Sequence, residues 1–545
     1  MNNFYQKFDD AFDAVCKKVP QNNSFDIIGT ETSRWKLLVN EKGEVTIETQ
    51  FTPSDMENDY FYCVRRTLLV MFSPERAGFG TFKNAISHTK LDGFLPVSVI
   101  KFETDKGCIE EYALVDKNDV LQIKINSGNK SFFFKSSIPQ TSDPSEIWQM
   151  NDPEPLINAN DTDFDNALTE IRQHWQKKLA SVLKWDCPSE YIKNGVLAAF
   201  VNAFITQYNG AIRYGATRYY HDAERTAESF PPTIFTMFEA CRYFGMQSEG
   251  ERFFAHFIKN FVSGDGEIHH RGNGASLSEH GMLLECAACA SKNFQSEHKA
   301  KIDAVASRLY RLIEKNELID CCPEDDLRDY PYHRWFSCNL WVARGLLEYQ
   351  KIVPASDAQQ KMLADFIAGV NDVCRKSAIP TPDGLFVPPF PGYTEPFSDM
   401  NDFVDFVDGT DIHSICSYTN YRFYPEMLSS RILDRDLAAE IVKFRKAKNG
   451  DFHGATTFRI FRDYLPYRYC LDDWPLYNYL KGLADCGNED EFIRILAGHM
   501  AIHQSRTTYF APEMSFRDYL DSTHCIPSQL TLALAISYAK KMALY

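Results

Sequence analysis

The chain has 545 residues, with 58 Lys and Arg against 74 Asp and Glu, so its formal net charge is −16. This acidic surplus disfavours nucleic acid and anionic membranes as partners, because phosphate groups attract clustered basic side chains. A hydrophobic share of 44% and a charged share of 24% are typical of a folded globular protein and argue against disorder.

Residues 1–150 contain short segments rich in β-branched and aromatic residues. Turn signals such as Asn40-Glu41-Lys42-Gly43 separate them. Several short strands at this spacing predict an antiparallel β-sandwich. A polar, proline-containing stretch then closes the predicted domain and begins a linker over residues 151–187.

From about residue 163 the hydrophobic period becomes helical. One helix is predicted in the linker, near 163–183. About twelve more are predicted in the region 188–545, and they group as six hairpins: near 189–208, 230–246, 248–263, 276–292, 295–316, 333–352, 355–376, 412–429, 434–448, 470–486, 488–503 and 526–543. The predicted fold class is therefore multidomain α and β.

Three short patterns carry a family resemblance. Trp175 lies on the linker helix that runs towards Pro188, the sequence His221-Asp222-Ala223-Glu224-Arg225 precedes the second hairpin helix, and Ala511-Pro512-Glu513 precedes the last helix. With the six hairpins, these patterns resemble the six-hairpin glycosidase superfamily, above all its glucoamylase-like and rhamnosidase-like members. The resemblance implies an (α/α)6 toroid of six helical hairpins behind the N-terminal β-sandwich.

In such a toroid the even-numbered helices form the inner ring, and their N-termini open at one face. The loops before the even-numbered helices are rich in acids mixed with Arg, His, Trp and Tyr, whereas loops such as 246–249 and 353–356 are short and plain. Longer loops collect polar residues by chance, but length explains the recurrent aromatic and basic residues less easily. We therefore expect the active site at this face.

Hydrolysis of a glycosidic bond needs one carboxylic acid to protonate the leaving oxygen and one carboxylate to activate water or attack the sugar. The resemblance places the base before the last helix, at Glu513. It places the acid before the sixth helix, where Asp329 is the first choice and Glu324 the second. Glu224 is the alternative acid in the rhamnosidase-like pattern.

Substrate-binding candidates are the polar and aromatic residues of the same loops. Asp222 and Arg225 offer rigid donors and acceptors for sugar hydroxyls, and aromatic faces stack on sugar rings. The full set comprises His221, Asp222, Arg225, His270, Glu279, Trp335, Asp411, His413, Asp473, Trp474, Arg506 and Tyr509. Asp411 and His413 match no strong metal-binding spacing, so we expect no metal and no cofactor.

These observations predict a glycoside hydrolase, exo-acting and inverting, that removes a terminal sugar from an oligosaccharide or glycoside. A glycoside phosphorylase stays open because His503, Ser505 and Arg506 fit a phosphate pocket. A lyase or epimerase on the same toroid would use His221, His270 or His413 instead. A non-catalytic glycan-binding protein is the third alternative.

The sequence shows no apolar run of signal-peptide length near its start and no stretch of about 18 apolar residues. Fifteen cysteines are scattered without a disulfide framework. We therefore expect reduced thiols and a cytoplasmic location, unless an export signal has been removed. The expected partner is a carbohydrate, with neither nucleic acid nor membrane, and the sequence leaves a homodimer open.

Overall fold

A computed structural model describes most of the chain: residues 2–21, 23–49, 66–141, 146–147, 150, 161–208, 210–216, 230–270, 273–274, 276–315, 317–323, 333–402, 411–460, 469–521 and 523–542. Within these ranges, the side chains of residues 2, 49, 66–68, 270, 273–274, 411–414 and 459–460 are not described.

Two antiparallel sheets form the first part of the structure. One sheet contains β1 (Phe25–Ile28), β2 (Leu37–Asn40), β3 (Val45–Thr49) and β4 (Arg66–Phe72). The other contains β5 (Phe82–Lys90), β6 (Val97–Thr104), β7 (Gly107–Val115), β8 (Val120–Ser127) and β9 (Lys130–Ser137). Buried residues from both sheets make one hydrophobic cluster, in which Phe72 packs on Phe134 at a ring distance of 5.2 Å. The sheets therefore share a core.

The structure begins with a helix, α1 (Asn2–Lys18), where the sequence predicts only strands. Its apolar residues Phe4, Phe8 and Phe12 recur every four positions, which is the spacing of one helix face. That face packs on the C-terminal region, and Phe4 lies 6.5 Å from Phe492 between ring centres. The stripe was visible in the sequence, but the strand-rich region that follows obscured it.

The remaining helices follow in chain order. They are α2 (Asp161–Lys178), α3 (Ala180–Leu183), α4 (Glu190–Ile205), α5 (Pro231–Tyr243), α6 (Gln247–Phe261), α7 (Leu277–Cys289), α8 (Lys292–Glu297), α9 (Lys299–Lys315), α10 (Phe336–Tyr349), α11 (Asp357–Ser377), α12 (Asp411–Tyr418), α13 (Tyr424–Ser429), α14 (Arg435–Ala447), α15 (Leu476–Asp485), α16 (Glu489–Gly498) and α17 (Ile526–Lys541). A π-helical turn, Thr419–Phe423, joins α12 to α13, and a second, His499–His503, extends α16.

Six of these helices contact one another in a closed cycle: α5 with α7, α7 with α10, α10 with α13, α13 with α15, α15 with α17, and α17 with α5. Each has an outer neighbour, in the order α6, α9, α11, α14, α16 and α4. The inner helices are apolar around most of their surface, as expected for helices covered on all sides. The prediction of a mixed helical and antiparallel-sheet protein is confirmed.

Short strands also connect the loops between helices. Two hairpins pair β10 (His269–His270) with β11 (Asn273–Gly274), and β12 (Ile379–Thr381) with β13 (Gly384–Phe386). A third sheet is antiparallel in the order β14 (Asp451–Phe452), β15 (Ala455–Ile460), β16 (Tyr469–Asp472), β17 (Met514–Phe516) and β18 (Tyr519–Leu520). It joins the segments that precede α15 and α17. The helix predicted near 470–486 therefore begins only at Leu476.

The crossing of α7 and α10 depends on two glycines. A Cβ atom on Gly281 would lie 2.1 Å from the carbonyl oxygen of Trp341, and one on Gly345 would lie 2.6 Å from the Cα atom of Gly281. Backbone cannot move away as a flexible side chain can, so this close approach requires the absence of a side chain.

Replacing Gly281 with Ala is expected to lower the free energy of unfolding by about 3 kcal/mol, because the new methyl group overpacks the crossing. Gly369→Ala in α11 is the matched control, because a Cβ atom there meets nothing within 4 Å. The control substitution is expected to raise the free energy of unfolding by about 0.5–1 kcal/mol, because alanine favours the helix more than glycine does. Urea unfolding of both variants checks the prediction, and equal effects would contradict it.

Candidate active site

A buried arginine lies at the centre of the helix cycle. Arg422, on the first π-turn, donates through Nε to Glu426 Oε1 at 2.7 Å and through Nη2 to Glu279 Oε1 at 3.3 Å. The other carboxylate oxygens accept from Ser278 Oγ and from the backbone N–H of Ser276, both at 2.8 Å. These bonds tie the first turn of α7 to the segment that joins α12 to α13.

Aromatic rings cover the same arginine. The Arg422 guanidinium lies 5.1 Å from the Trp474 ring centre and 5.9 Å from that of Phe230, within cation–π range. Trp474 packs edge-on against Phe230 at 5.1 Å and donates its indole N–H to the Tyr421 hydroxyl. We call Phe230, Glu279, Tyr421, Arg422, Glu426 and Trp474 the central cluster. It connects the starts of α5, α7 and α15.

Asp473 precedes α15 and is fully buried. Its carboxylate accepts the Thr456 backbone N–H at 2.8 Å and lies 3.0 Å from His499 Nδ1. Burial disfavours the charge, but His503, His499 and the Thr456 N–H outweigh that effect and lower the pKa of Asp473 to about 2. Asp473 is therefore an ionised residue that holds the second π-turn against β15.

His503, on that π-turn, connects it to the segment before α17. His503 Nε2 lies 2.9 Å from the Pro512 carbonyl oxygen, and its Nδ1 lies 2.7 Å from Ser515 Oγ. A carbonyl can only accept, so Nε2 carries the proton and Nδ1 accepts from the serine hydroxyl. Burial lowers the pKa of His503 to about 4, against the opposing charge of Asp473. The imidazole is neutral at pH 7.

The segment carrying Glu513 is fixed by backbone hydrogen bonds on both sides. The Glu513 N–H donates to the Thr523 carbonyl at 2.7 Å, and the Cys525 N–H donates to the Ala511 carbonyl at 3.2 Å. The Ala511 N–H donates to Gln529 Oε1 on α17 at 3.1 Å. Glu513 itself is half-buried, whereas most of its neighbours are buried. Glu513 is therefore a partly exposed residue on a segment that hydrogen bonds hold in place.

A second carboxylate, that of Asp472, lies beside this segment. Asp472 pairs with Met514 in the β16–β17 ladder, which places it next to the strand that Glu513 precedes. Burial raises the pKa of the Cys525 thiol at the start of α17, and the nearby charges of Glu513 and Asp472 raise it further. Both carboxylates therefore lie within electrostatic range of the same helix N-terminus.

Four other predicted site residues are packed into the protein. Glu279 is bonded in the central cluster, and Trp335 is fully buried against Phe390 and Phe423, at ring distances of 4.7 and 4.8 Å. Tyr509 packs on a tyrosine of α4, and burial raises its pKa. Arg506 donates to the carbonyls of Ala501 and Val19. Sugar binding by these residues stays a prediction.

The remaining predicted site residues have no described side chains. The candidate acids Glu224, Glu324 and Asp329 and the binding candidates His221, Asp222 and Arg225 lie outside the described residues. For His270, Asp411 and His413 the structure describes the backbone but not the side chain. The structure therefore brings Glu513, Asp473 and Trp474 to one region and leaves the acid unassigned.

Two residues of this region, Asp472 and Arg422, are not among the predicted site residues. Asp472 belongs to the acidic loop that also contains Asp473, but its pairing with Met514 leaves no local signal. Arg422 follows an apolar helical segment, where an isolated arginine is a signal for a buried ion pair. Its two glutamate partners lie 143 and 4 residues away, so only the nearer one was visible locally.

Across the described residues, no group of three His, Cys, Asp or Glu side chains is arranged to hold a metal ion. The same part of the chain contains no helix that is both long and apolar enough to cross a membrane.

Comparisons with known proteins find distant structural likenesses. No protein-family model matches the sequence, and no curated protein does either. A glycosidase variant is 13% identical with a TM-score of 0.42, covering 68% of this chain and 98% of its own. A D-mannose isomerase is 10% identical with a TM-score of 0.43, covering 65% and 100%. A GH76 α-mannanase of Bacteroides thetaiotaomicron is 10% identical with a TM-score of 0.38, covering 68% and 97%. Similarity at this level carries no argument about chemistry.

His503→Gln is expected to reduce the loss of stability in acid. Because the folded pKa of His503 is about 4 and the ordinary value is 6.5, the unfolded chain binds a proton between these pH values that the folded chain does not. Stability therefore falls as pH drops from 7 to 5, and removing this one histidine should recover about 2 kcal/mol of that fall.

Urea unfolding at pH 5, 6 and 7 measures the effect. Glutamine keeps an amide donor for the Pro512 carbonyl, so the variant is expected to fold. His269→Gln, at an exposed histidine, is the control and should leave the pH dependence unchanged. The same slope in wild type and His503→Gln would contradict the assignment of a buried neutral imidazole.

Proposed function

We propose that the protein is a glycoside hydrolase acting on a terminal sugar with inversion, and that Glu513 is the general base. The observation that carries the proposal is that backbone hydrogen bonds hold the segment around Glu513 in place. Its carboxylate is half-buried beside Asp472 at the start of α17, on a segment whose neighbours are hydrogen-bonded on both sides. General-base catalysis needs a carboxylate held in a fixed position and accessible to water.

The closed helix cycle supports the same proposal. We interpret it as the inner ring of an (α/α)6 toroid, with the two-sheet region as its N-terminal β-sandwich. In such a ring the starts of the six inner helices open at one face, with α12 and the π-turn as the start of the fourth, which continues into α13. Backbone N–H groups and helix dipoles there favour sugar hydroxyls and developing negative charge. The central cluster then forms the floor beneath the sugar.

In the proposed reaction Glu513 removes a proton from a water molecule that attacks the anomeric carbon. An acid across the ring protonates the leaving oxygen, so the products are an inverted hemiacetal and an alcohol. Inversion needs a carboxylate separation of roughly 6.5–9.5 Å, which leaves room for the water. The candidate acids are still Asp329, then Glu324, with Glu224 as the alternative.

The phosphorylase alternative has less support. His503 donates to the Pro512 carbonyl, and the Arg506 guanidinium donates to the Ala501 and Val19 carbonyls. The Ser505 hydroxyl is buried and accepts from the Thr508 N–H at 3.4 Å. A phosphate pocket needs its donors turned towards a ligand, whereas those of His503 and Arg506 are engaged within the protein.

The lyase or epimerase alternative needs a histidine that reaches the substrate. Among the described histidines near the inner helices, His280, His503 and His524 are buried and bonded, and burial lowers the pKa of each. His499 is buried against Asp473. These contacts leave none of the four in position to act on a substrate. The histidines that this alternative names, His221, His270 and His413, have no described side chains, so the alternative stays a prediction.

Glu513→Gln is expected to lower kcat by about 10²- to 10⁴-fold, since the amide cannot accept the proton from water. The free energy of unfolding should stay within about 0.5 kcal/mol of the wild-type value, because the residue is half-buried and its side chain is polar in both proteins. The assay is release of sugar from a panel of aryl glycosides and oligosaccharides, with NMR of the first-formed anomer to test inversion.

Asp518→Asn is the matched control. Asp518 lies at the exposed tip of the β17–β18 hairpin, five residues from Glu513, and its substitution should leave kcat unchanged. Full activity of Glu513→Gln on a glycoside that the wild type cleaves would refute the assignment of the base. Retention of anomeric configuration would refute inversion.

A further inference from the structure

The β17–β18 hairpin follows Glu513 directly, and β18 is the edge strand of its sheet. An edge strand exposes backbone N–H and C=O groups that need partners. The side-chain amide of Asn23 supplies a partner for each of these two groups at Leu520. Asn23 Nδ2 donates to the Leu520 carbonyl at 2.8 Å, and the Leu520 N–H donates to Asn23 Oδ1 at 2.8 Å. One side chain thus replaces the next strand of the sheet.

The neighbouring residues make contacts of the same kind. The Arg506 N–H donates to Gln21 Oε1 at 3.0 Å, and the Arg506 guanidinium donates to the Val19 carbonyl. The Thr508 hydroxyl donates to the Phe25 carbonyl. Residues 19–21 and 23–25 therefore contact the chain at Arg506, Thr508 and Leu520, on either side of Glu513. Most of these bonds end on a backbone atom, so they fix the course of the chain.

We propose that residues 19–21 and 23–25 are a positioning element for the catalytic segment, and that Asn23, through its two bonds to Leu520, is its principal positioning residue. Asn23 holds the β18 edge, β18 pairs with β17 through Ser515 and Phe516, and β17 begins one residue after Glu513. Asn23 touches no substrate in this scheme. It restricts Glu513 to the position in which the carboxylate can activate water.

Asn23→Ala removes both bonds and is expected to raise the local opening of β18 by about 10- to 100-fold, because each bond contributes a factor of about three to ten. Hydrogen–deuterium exchange of the full-length protein, with fragmentation to resolve the Leu520 amide, measures this opening without a substrate. Asn23→Asp keeps the acceptor for the Leu520 N–H and loses the donor, so its effect should be smaller.

Asn40→Ala is the matched control. The Asn40 side chain also bonds to nearby chain atoms, including the Lys42 N–H at 3.0 Å, but it lies at the end of β2, where it caps the turn into β3. Its substitution should speed exchange in that turn and leave residues 511–521 unchanged. Unchanged exchange at Leu520 in both Asn23 variants would overturn the proposal.

The kinetic part of the test rests on the proposed function. On an aryl glycoside that the wild type hydrolyses, Asn23→Ala should lower kcat by about 10-fold with KM within about twofold, because it misplaces the base and leaves the sugar contacts intact. Asn40→Ala should change neither value. Faster exchange at Leu520 with an unchanged kcat would overturn the role in catalysis.

Failure of the proposed function has a different signature. It would appear as full activity in Glu513→Gln, or as no cleavage of any glycoside in the panel by the wild type. In that event, the hydrogen–deuterium exchange rate of the Leu520 amide alone decides whether Asn23 and its neighbours hold the segment in position.

Discussion

A single buried guanidinium between two carboxylates organises the interior of the helix cycle. Arg422 is fully buried, and without Glu279 and Glu426 its charge would be costly to place there. The geometry that satisfies all three groups admits little movement of α7 relative to α13. The same arginine lies under Trp474 and thereby fixes the start of α15. The central cluster thus fixes the positions of these helices relative to one another. Contacts between apolar surfaces are less directional and would fix them less closely.

Around this centre, the third sheet connects loops that are distant in sequence. β16 ends at the start of α15, and β17 follows Glu513, so their pairing joins two stretches of the site directly. Asp473 and His503 then tie the second π-turn to both stretches. π-turns are frequent at functional sites because they turn side chains away from the regular helical positions. Here one carries Arg422 and the other His503.

Hydrophobic periodicity was sufficient to predict the helices after residue 160 and the change from strands to helices, because burial on one face leaves a local pattern in the sequence. It did not reveal α1. It was not sufficient for the third sheet, whose short strands pair across long separations. The choice of Glu513 as base came from the family resemblance together with its place after Pro512 in an aromatic segment, and it stays a prediction. Nothing local in the sequence indicates that Asn23 bonds to Leu520. The pairing of Asp472 with Met514 shows the same limit, since register across 42 residues leaves no local signal.

The long separations also order the events of folding. Asn23 and Leu520 are 497 residues apart, and Gln21 meets Arg506 across 485. Contacts of such separation form only after the intervening chain has closed its loops, because each closure costs entropy before the contact stabilises it. The contacts of residues 506 and 520 with the N-terminal residues therefore depend on the helices and sheets in between, which bring the two ends of the chain together. The geometry of the segment around Glu513 is thus a property of the whole fold and not of the local sequence.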